Sequence, residues 1–172
     1  MEKSMKNQYQ NASNISARIQ LHNKYSTNTQ GWFPWIFDQC HMAEHSTVLE
    51  IGCGDGSLWL ENKEKIPKQL HVVLSDISEG MLRDTRRAIH ANVKTSRFDF
   101  QVFDCERIPY PDNSFDLVIA NHILFYCKNL TSVFEEISRV LKTGGTFVCS
   151  TYGAAHMKEI NEKGNDASAK EK

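Results

Sequence analysis

Residues 46–59 read STVLEIGCGDGSLW, a short apolar run that closes on three glycines at alternate positions, Gly52, Gly54 and Gly56. The run has the length and composition of a strand, and the glycines let the backbone turn sharply and let a ligand approach it closely. A strand that breaks into a glycine loop is the usual cradle of a nucleotide in an α/β protein. Four more apolar runs follow: LHVVLS (70–75) leads to Asp76, RFDFQVF (97–103) to Asp104, FDLVIAN (115–121) ends on Asn121, and GTFVCST (145–151) is the last. Helical patterns lie between them. SEGMLRDTRRAIHAN puts Met81, Leu82, Ala88 and Ile89 near one face, and LTSVFEEISRVLKTGG does the same with Val133, Ile137, Val140 and Leu141. Ser132 and Glu135 have capping-box spacing at the start of this second helix, and Gly144 or Gly145 offers it a stop.

Strands alternating with helices predict a parallel sheet covered on both faces. The unbroken apolar character of LHVVLS and FDLVIA fits central strands buried on both sides. Right-handed crossovers then give a doubly wound, Rossmann-like sheet of five strands in the order 3-2-1-4-5. In such a sheet ligands bind beyond the carboxyl ends of the strands. The glycine loop, Asp76, Asp104 and Asn121 all fall at those ends.

Before the first strand, NISARIQLHNKY places Ile15 and Ile19 on one helical face, and GWFPWIFDQC puts Pro34 in the first turn of a second helix. Its rings, Trp32, Trp35 and Phe37, read as core in preference to an aromatic pocket. A net charge of −1 gives no strong pull towards nucleic acid or an anionic membrane, and no apolar run has transmembrane length. The five cysteines include no CxxC pair, which argues against a disulfide framework or zinc site and for a reducing cytoplasm.

The ligand class follows from charge. The phosphate-loop pattern GxxxxGK[ST] is absent, and Ser57 breaks the dinucleotide pattern GxGxxG. Glu50 and Asp55 flank the loop, so a bound pyrophosphate would meet carboxylates. At about 4 Å and an effective dielectric near 20, each such contact costs roughly 4 kcal/mol. A phosphate-free ligand with a positive centre fits better. Asp76 can accept from both hydroxyls of a ribose, and Asp104 from an adenine amine. An adenosine with a cationic, amino-acid-like arm satisfies these features, and S-adenosylmethionine is such a molecule.

VLEIGCGDGSLW, VVLSDISEGML, FDCERIPYPDNSFDLVIANHILFY and EEISRVLKTGGTFVCST together resemble the successive motifs of class I S-adenosylmethionine-dependent methyltransferases, in that family's order, over roughly residues 46–151. The resemblance implies a residue-by-residue site. Glu50 and the backbone at Gly52 and Gly54 would face the methionine end. Asp76 would hold the ribose and Ile77 would pack on the adenine. Asp104 would take the adenine amine, the Cys105 backbone a ring nitrogen, and the Asn121 backbone would flank the sulfonium. Residues 1–45 would form a helical lid segment, with Arg18, Tyr25 and Trp32 as substrate or lid candidates. Residues 46–156 would form the methyltransferase core, and 157–172 a polar tail.

The activity so implied is methyl transfer to a small molecule by in-line displacement, releasing S-adenosylhomocysteine. Such chemistry needs alignment more than acid or base. His122 is the candidate base or acceptor-orienting group, and no metal is expected. NHIL stands where enzymes that methylate nucleic-acid bases often carry Asn/Asp-Pro-Pro-aromatic, and the NHILFY pattern looks more like quinone-biosynthesis enzymes. Complete family members have two more strands after the fifth, which are expected to be lacking here. An uncovered fifth strand would invite self-association at the sheet edge. The alternatives are a cofactor-binding partner subunit without turnover and a nucleotide-dependent oxidoreductase, the second disfavoured by Asp55 and the broken dinucleotide pattern.

Overall fold

The structure, a computed structural model, describes Lys24 and residues 29–94 and 96–151. The expected helix around Ile15 and Ile19, the candidates Arg18 and Tyr25, and the tail 157–172 lie outside the described residues.

Five strands, β1 (Thr47–Ile51), β2 (His71–Asp76), β3 (Arg97–Val102), β4 (Phe115–Asn121) and β5 (Leu141–Ser150), form one parallel sheet in the order β3-β2-β1-β4-β5. The helices are α1 (Trp32–Gln39), α2 (Ser57–Leu60), α3 (Glu79–Asn92) and α4 (Leu130–Val140), with a 3₁₀ turn at Leu124–Tyr126. The chain runs outward from β1 to β3, then crosses back to β4 beside β1. The switch point therefore lies between the ends of β1 and β4.

Strand alternation divides the core in two. Val48, Val72, Leu74, Leu117 and Ile119 face Ile36, Phe37, Leu58, Trp59, Leu82 and Ile89 from α1, α2 and α3. Leu49, Ile51, Val73, Val118 and Ala120 face Leu124, Val133, Ile137 and Val140 on the other side. Both faces of β1, β2 and β4 are thus sealed, and the buried residues of these strands are apolar except Glu50 and Ser75.

Three local expectations need correction. The helix α4 is capped by Asn129, whose side chain accepts from the Ser132 N–H at 3.2 Å, and not by a Ser132–Glu135 box. Asparagine's short carbonyl reaches that amide from an extended backbone, which places the start three residues earlier. Nor does α4 run to Gly144: it stops at Val140, and β5 begins at Leu141 with a bulge before Thr146 resumes the register against Leu117. Finally, of the three α1 rings read as core, only Phe37 is buried; Trp32 and Trp35 remain 38% and 40% exposed. Helix α1 packs through Ile36 and Phe37, which leaves the Trp32–Trp35 side outward.

Candidate functional site

All five strands run the same way, so one rim of the sheet gathers their carboxyl ends. At the switch point Gly52 follows β1 with φ +69°, and a Cβ there would lie 2.2 Å from Ile123 Cγ2 beyond β4. Only glycine permits that approach. Gly54, at φ +55°, differs: a Cβ built on it meets nothing within 4 Å, so its α-carbon faces open space. Its neighbours fix it from behind. The Gly54 N–H donates to Asp76 Oδ2 at 3.1 Å, and its carbonyl accepts from Thr85 Oγ1 at 2.6 Å.

Asp76 therefore sits beside the glycine loop. Its second oxygen accepts from the Ser78 N–H at 2.8 Å, which caps the turn into α3. Burial pushes the Asp76 carboxyl up, while the amides of Ser78, Gly54 and Ile77 pull it back. Each carboxylate oxygen has a second lone pair, so both can still accept from a ligand hydroxyl. Ile77, next along, is 74% exposed at this rim, an apolar surface that a planar ring could cover.

Glu50 is buried, and its Oε2 accepts from Trp59 Nε1 at 2.7 Å. Burial raises its carboxyl from 4.5 to about 8, the Trp59 bond opposes this, and the charges of Asp55 and Asp76 raise it further. Asp55 turns back on α2, where its Oδ1 accepts from the Ser57 N–H and hydroxyl at 3.0 and 2.6 Å. The loop is thus surrounded by acids, with none of its charge balanced by a nearby Lys or Arg ion pair among the described residues. With Glu50 mostly protonated near neutral pH, the carboxylates of Asp55 and Asp76 are what disfavour a phosphate and favour a cation here.

Across the switch point, Asn121 Oδ1 accepts from Ser150 Oγ at 2.6 Å and from Trp32 Nε1 at 3.2 Å. Ser150 Oγ in turn accepts from the His122 N–H at 2.9 Å. His122 holds φ +58° and its ring stacks on Trp32, with centroids 4.7 Å apart and planes inclined at 22°. The ends of β4 and β5 and the start of α1 are tied together at one point. Ser150 did not emerge from the sequence as a site residue. The one available signal was its place at the carboxyl end of the fifth strand, on the same rim as the other four candidates.

Asp104 lies two residues beyond β3, exposed, with Oδ1 accepting from the Glu106 N–H at 3.0 Å. Cys105 is half-buried beside Cys127. The structure thus brings Glu50, Gly52, Gly54 and Asp76 into one cluster and Trp32, Asn121 and His122 into another across the switch point. Ile77, Asp104 and Cys105 lie along the β2–β3 side of the same rim. Among the described residues no group of three or more His, Cys, Asp or Glu side chains is placed to hold a metal ion, and no helix is long and apolar enough to cross a membrane.

A family model described as a methyltransferase domain matches residues 49–149, which run from within β1 to one residue short of the end of β5 and include every rim residue above except Trp32 and Ser150. The chain belongs to the methyltransferase domain family. The methyltransferase domain has relatives of known name. Demethylmenaquinone methyltransferase of Symbiobacterium thermophilum is 32% identical over 118 residues, 69% of this chain and 47% of that protein. Malonyl-[acyl-carrier protein] O-methyltransferase of Nitrosospira multiformis is 30% identical over 128 residues, 67% of this chain and 41% of that protein. The chain thus spans less than half the length of these two relatives. The solved structure of Haemonchus contortus phosphoethanolamine N-methyltransferase 2 in complex with S-adenosyl-L-methionine superposes with a TM-score of 0.67 at 22% identity, covering 91% of this chain and 38% of that one. A SAM-dependent methyltransferase from Aquifex aeolicus gives a TM-score of 0.63 at 18% identity, covering 88% and 86%. At these identities the structures establish the shared fold of the methyltransferase domain.

Proposed function

We propose that this protein is an S-adenosylmethionine-dependent methyltransferase acting on a small-molecule acceptor. One observation carries the reading: Asp76 is held 3.1 Å from the N–H of Gly54, a glycine whose α-carbon faces open space, inside a ring of carboxylates. That arrangement suits a ribose with a cationic arm and opposes a phosphate. When bound, S-adenosylmethionine supplies a methyl group activated on a sulfonium, and because a neutral thioether departs, no residue need act as an acid. The chain's own residues bind, orient and exclude water. Asp76 offers its remaining lone pairs to the ribose hydroxyls. Ile77 covers the adenine, and Asp104 and the Cys105 amide address its polar edge. Glu50, Gly52 and Gly54 form the floor beneath the charged arm. Asn121 marks the transfer side, His122 orients the acceptor, and Trp32 holds both in place.

A small-molecule acceptor is supported by the demethylmenaquinone relative and by the net charge of −1, which gives no strong pull on a polyanion. Cytoplasmic placement belongs to the same proposal and rests on five cysteines free of disulfides. So does self-association through β5, an edge strand among the described residues, which sedimentation velocity checks.

Calorimetry with S-adenosylhomocysteine and NADH, followed by transfer of labelled methyl to a panel of quinone precursors, acyl carriers and amino alcohols, tests the reading. Binding of the homocysteine nucleoside with transfer to one acceptor is expected. Saturation by NADH with no association of S-adenosylhomocysteine would overturn it. Cofactor binding without transfer would leave a partner subunit.

A further inference from the structure

Cys105 and Cys127 face each other with their sulfurs 3.4 Å apart, in hydrogen-bond contact, and both are half-buried and so within reach of a small reagent. Cys105 follows β3 and Cys127 closes the 3₁₀ turn after β4, so the pair bridges two loops of the rim. The loops are already clamped alongside: Glu106 Oε1 accepts from the N–H groups of Lys128 and Asn129 at 2.9 and 3.0 Å. The other three cysteines take no part. Cys40 and Cys53 are buried, and Cys149 is exposed on β5.

We infer that Cys105 and Cys127 form an oxidation site that takes a low-molecular-weight disulfide as co-reactant and closes into an intramolecular disulfide. Cys127 is the attacking thiol. Burial raises both thiols, but the shared hydrogen bond pushes Cys105 up and pulls Cys127 down, with Asp104 and Glu106 raising both. After losing its proton to solvent, Cys127 Sγ bonds to one sulfur of the reagent and releases the other as a thiol. Cys105, deprotonated in turn, attacks Cys127 Sγ and releases the second. One reagent disulfide is reduced to two thiols and two protein thiols are oxidised to one disulfide. Closing 3.4 Å to the bonded distance of about 2.05 Å draws the Cys105 backbone, and with it Asp104, towards the β4 loop. Taking the adenine subsite of the proposed function as given, oxidation weakens nucleoside binding.

The test incubates the protein with oxidised glutathione, traps free thiols by alkylation and reads intact and peptide masses. Wild type and Cys149→Ser are expected to lose two hydrogens and yield a linked Cys105–Cys127 peptide. Cys105→Ser should stop at a glutathione adduct on Cys127, and Cys127→Ser should give no linked peptide. Adducts confined to Cys149, or no link in wild type, would overturn the site. Calorimetry with S-adenosylhomocysteine then compares the two states: at least about fivefold weaker binding after oxidation is expected, restored by dithiothreitol. Equal affinity overturns the coupling. If neither state binds the nucleoside while the link still forms, the functional reading fails and the oxidation site stands.

Discussion

Glu50 gives the most direct test of the site's electrostatics. Its side chain is 2% exposed, and burial moves its carboxyl from 4.5 to about 8 against the pull of the Trp59 indole. In the unfolded chain the group titrates near the lower value, so between the two values folding takes up a proton. The sign follows: the stability contributed by the protonated form is fully present below 4.5 and is lost as pH rises to about 8. At about 1.4 kcal/mol per pH unit the whole span amounts to about 5 kcal/mol, an upper bound because burial relaxes when the charge forms. Glu50→Gln keeps an oxygen that can accept from Trp59 Nε1 and removes the titration. Urea unfolding from about pH 5 to 9 should show variant and wild type within about 1 kcal/mol at the acid end. Near pH 8.5 the variant should be more stable by about 3–5 kcal/mol. Parallel curves would refute the reasoning, since they would mean that Glu50 ionises freely in the fold. The same charge should couple to the ligand: a cation stabilises ionised Glu50, so binding near neutral pH should release a proton, and Glu50→Gln should abolish that release.

Other outcomes are expected elsewhere. Gly52→Ala should destabilise the protein by about 2–4 kcal/mol in urea unfolding, because its Cβ at 2.2 Å from Ile123 adds overpacking to a left-handed backbone. Gly54→Ala has space for its methyl, so it should lose only about 1–2 kcal/mol in the same assay while weakening S-adenosylhomocysteine binding more than tenfold by calorimetry. Asp76→Ala should weaken that binding by about 1.5–3 kcal/mol, and unchanged affinity would remove Asp76 from the site. Arg139→Met should lower stability by about 1–3 kcal/mol by circular dichroism, since Nη1 donates to the Tyr110 carbonyl and Nη2 to that of Ile108, joining α4 to the β3–β4 loop.

Much of the architecture was legible because it rests on local periodicity. LHVVLS and FDLVIAN are too continuously apolar for a one-sided sheet, and their spacing from helical patterns leaves a parallel sheet as the simplest solution. The rim candidates followed from the same logic, since each strand's last residue must fall on one side. The errors arose where two local signals competed. Asn129 and Ser132 can both cap a helix, and only the extended backbone at Asn129 decides between them. Trp32 and Trp35 look like core residues by type, but an eight-residue helix can bury just one face, and Ile36 with Phe37 takes it. Ser150 was hidden because a serine at a strand end carries no distinctive signal until its partners are known.

The sequence alone determined the strand and helix periods, the left-handed demand at the glycine loop and the acidic character around it, since each depends on neighbours along the chain. Tertiary structure alone decided that Ile123 fills the space a Cβ on Gly52 would need, that the Trp32 indole reaches Asn121 across 89 positions, and that Cys105 meets Cys127. Those contacts depend on strand order and register, which side-chain packing over the entire sheet selects and no short stretch of sequence encodes.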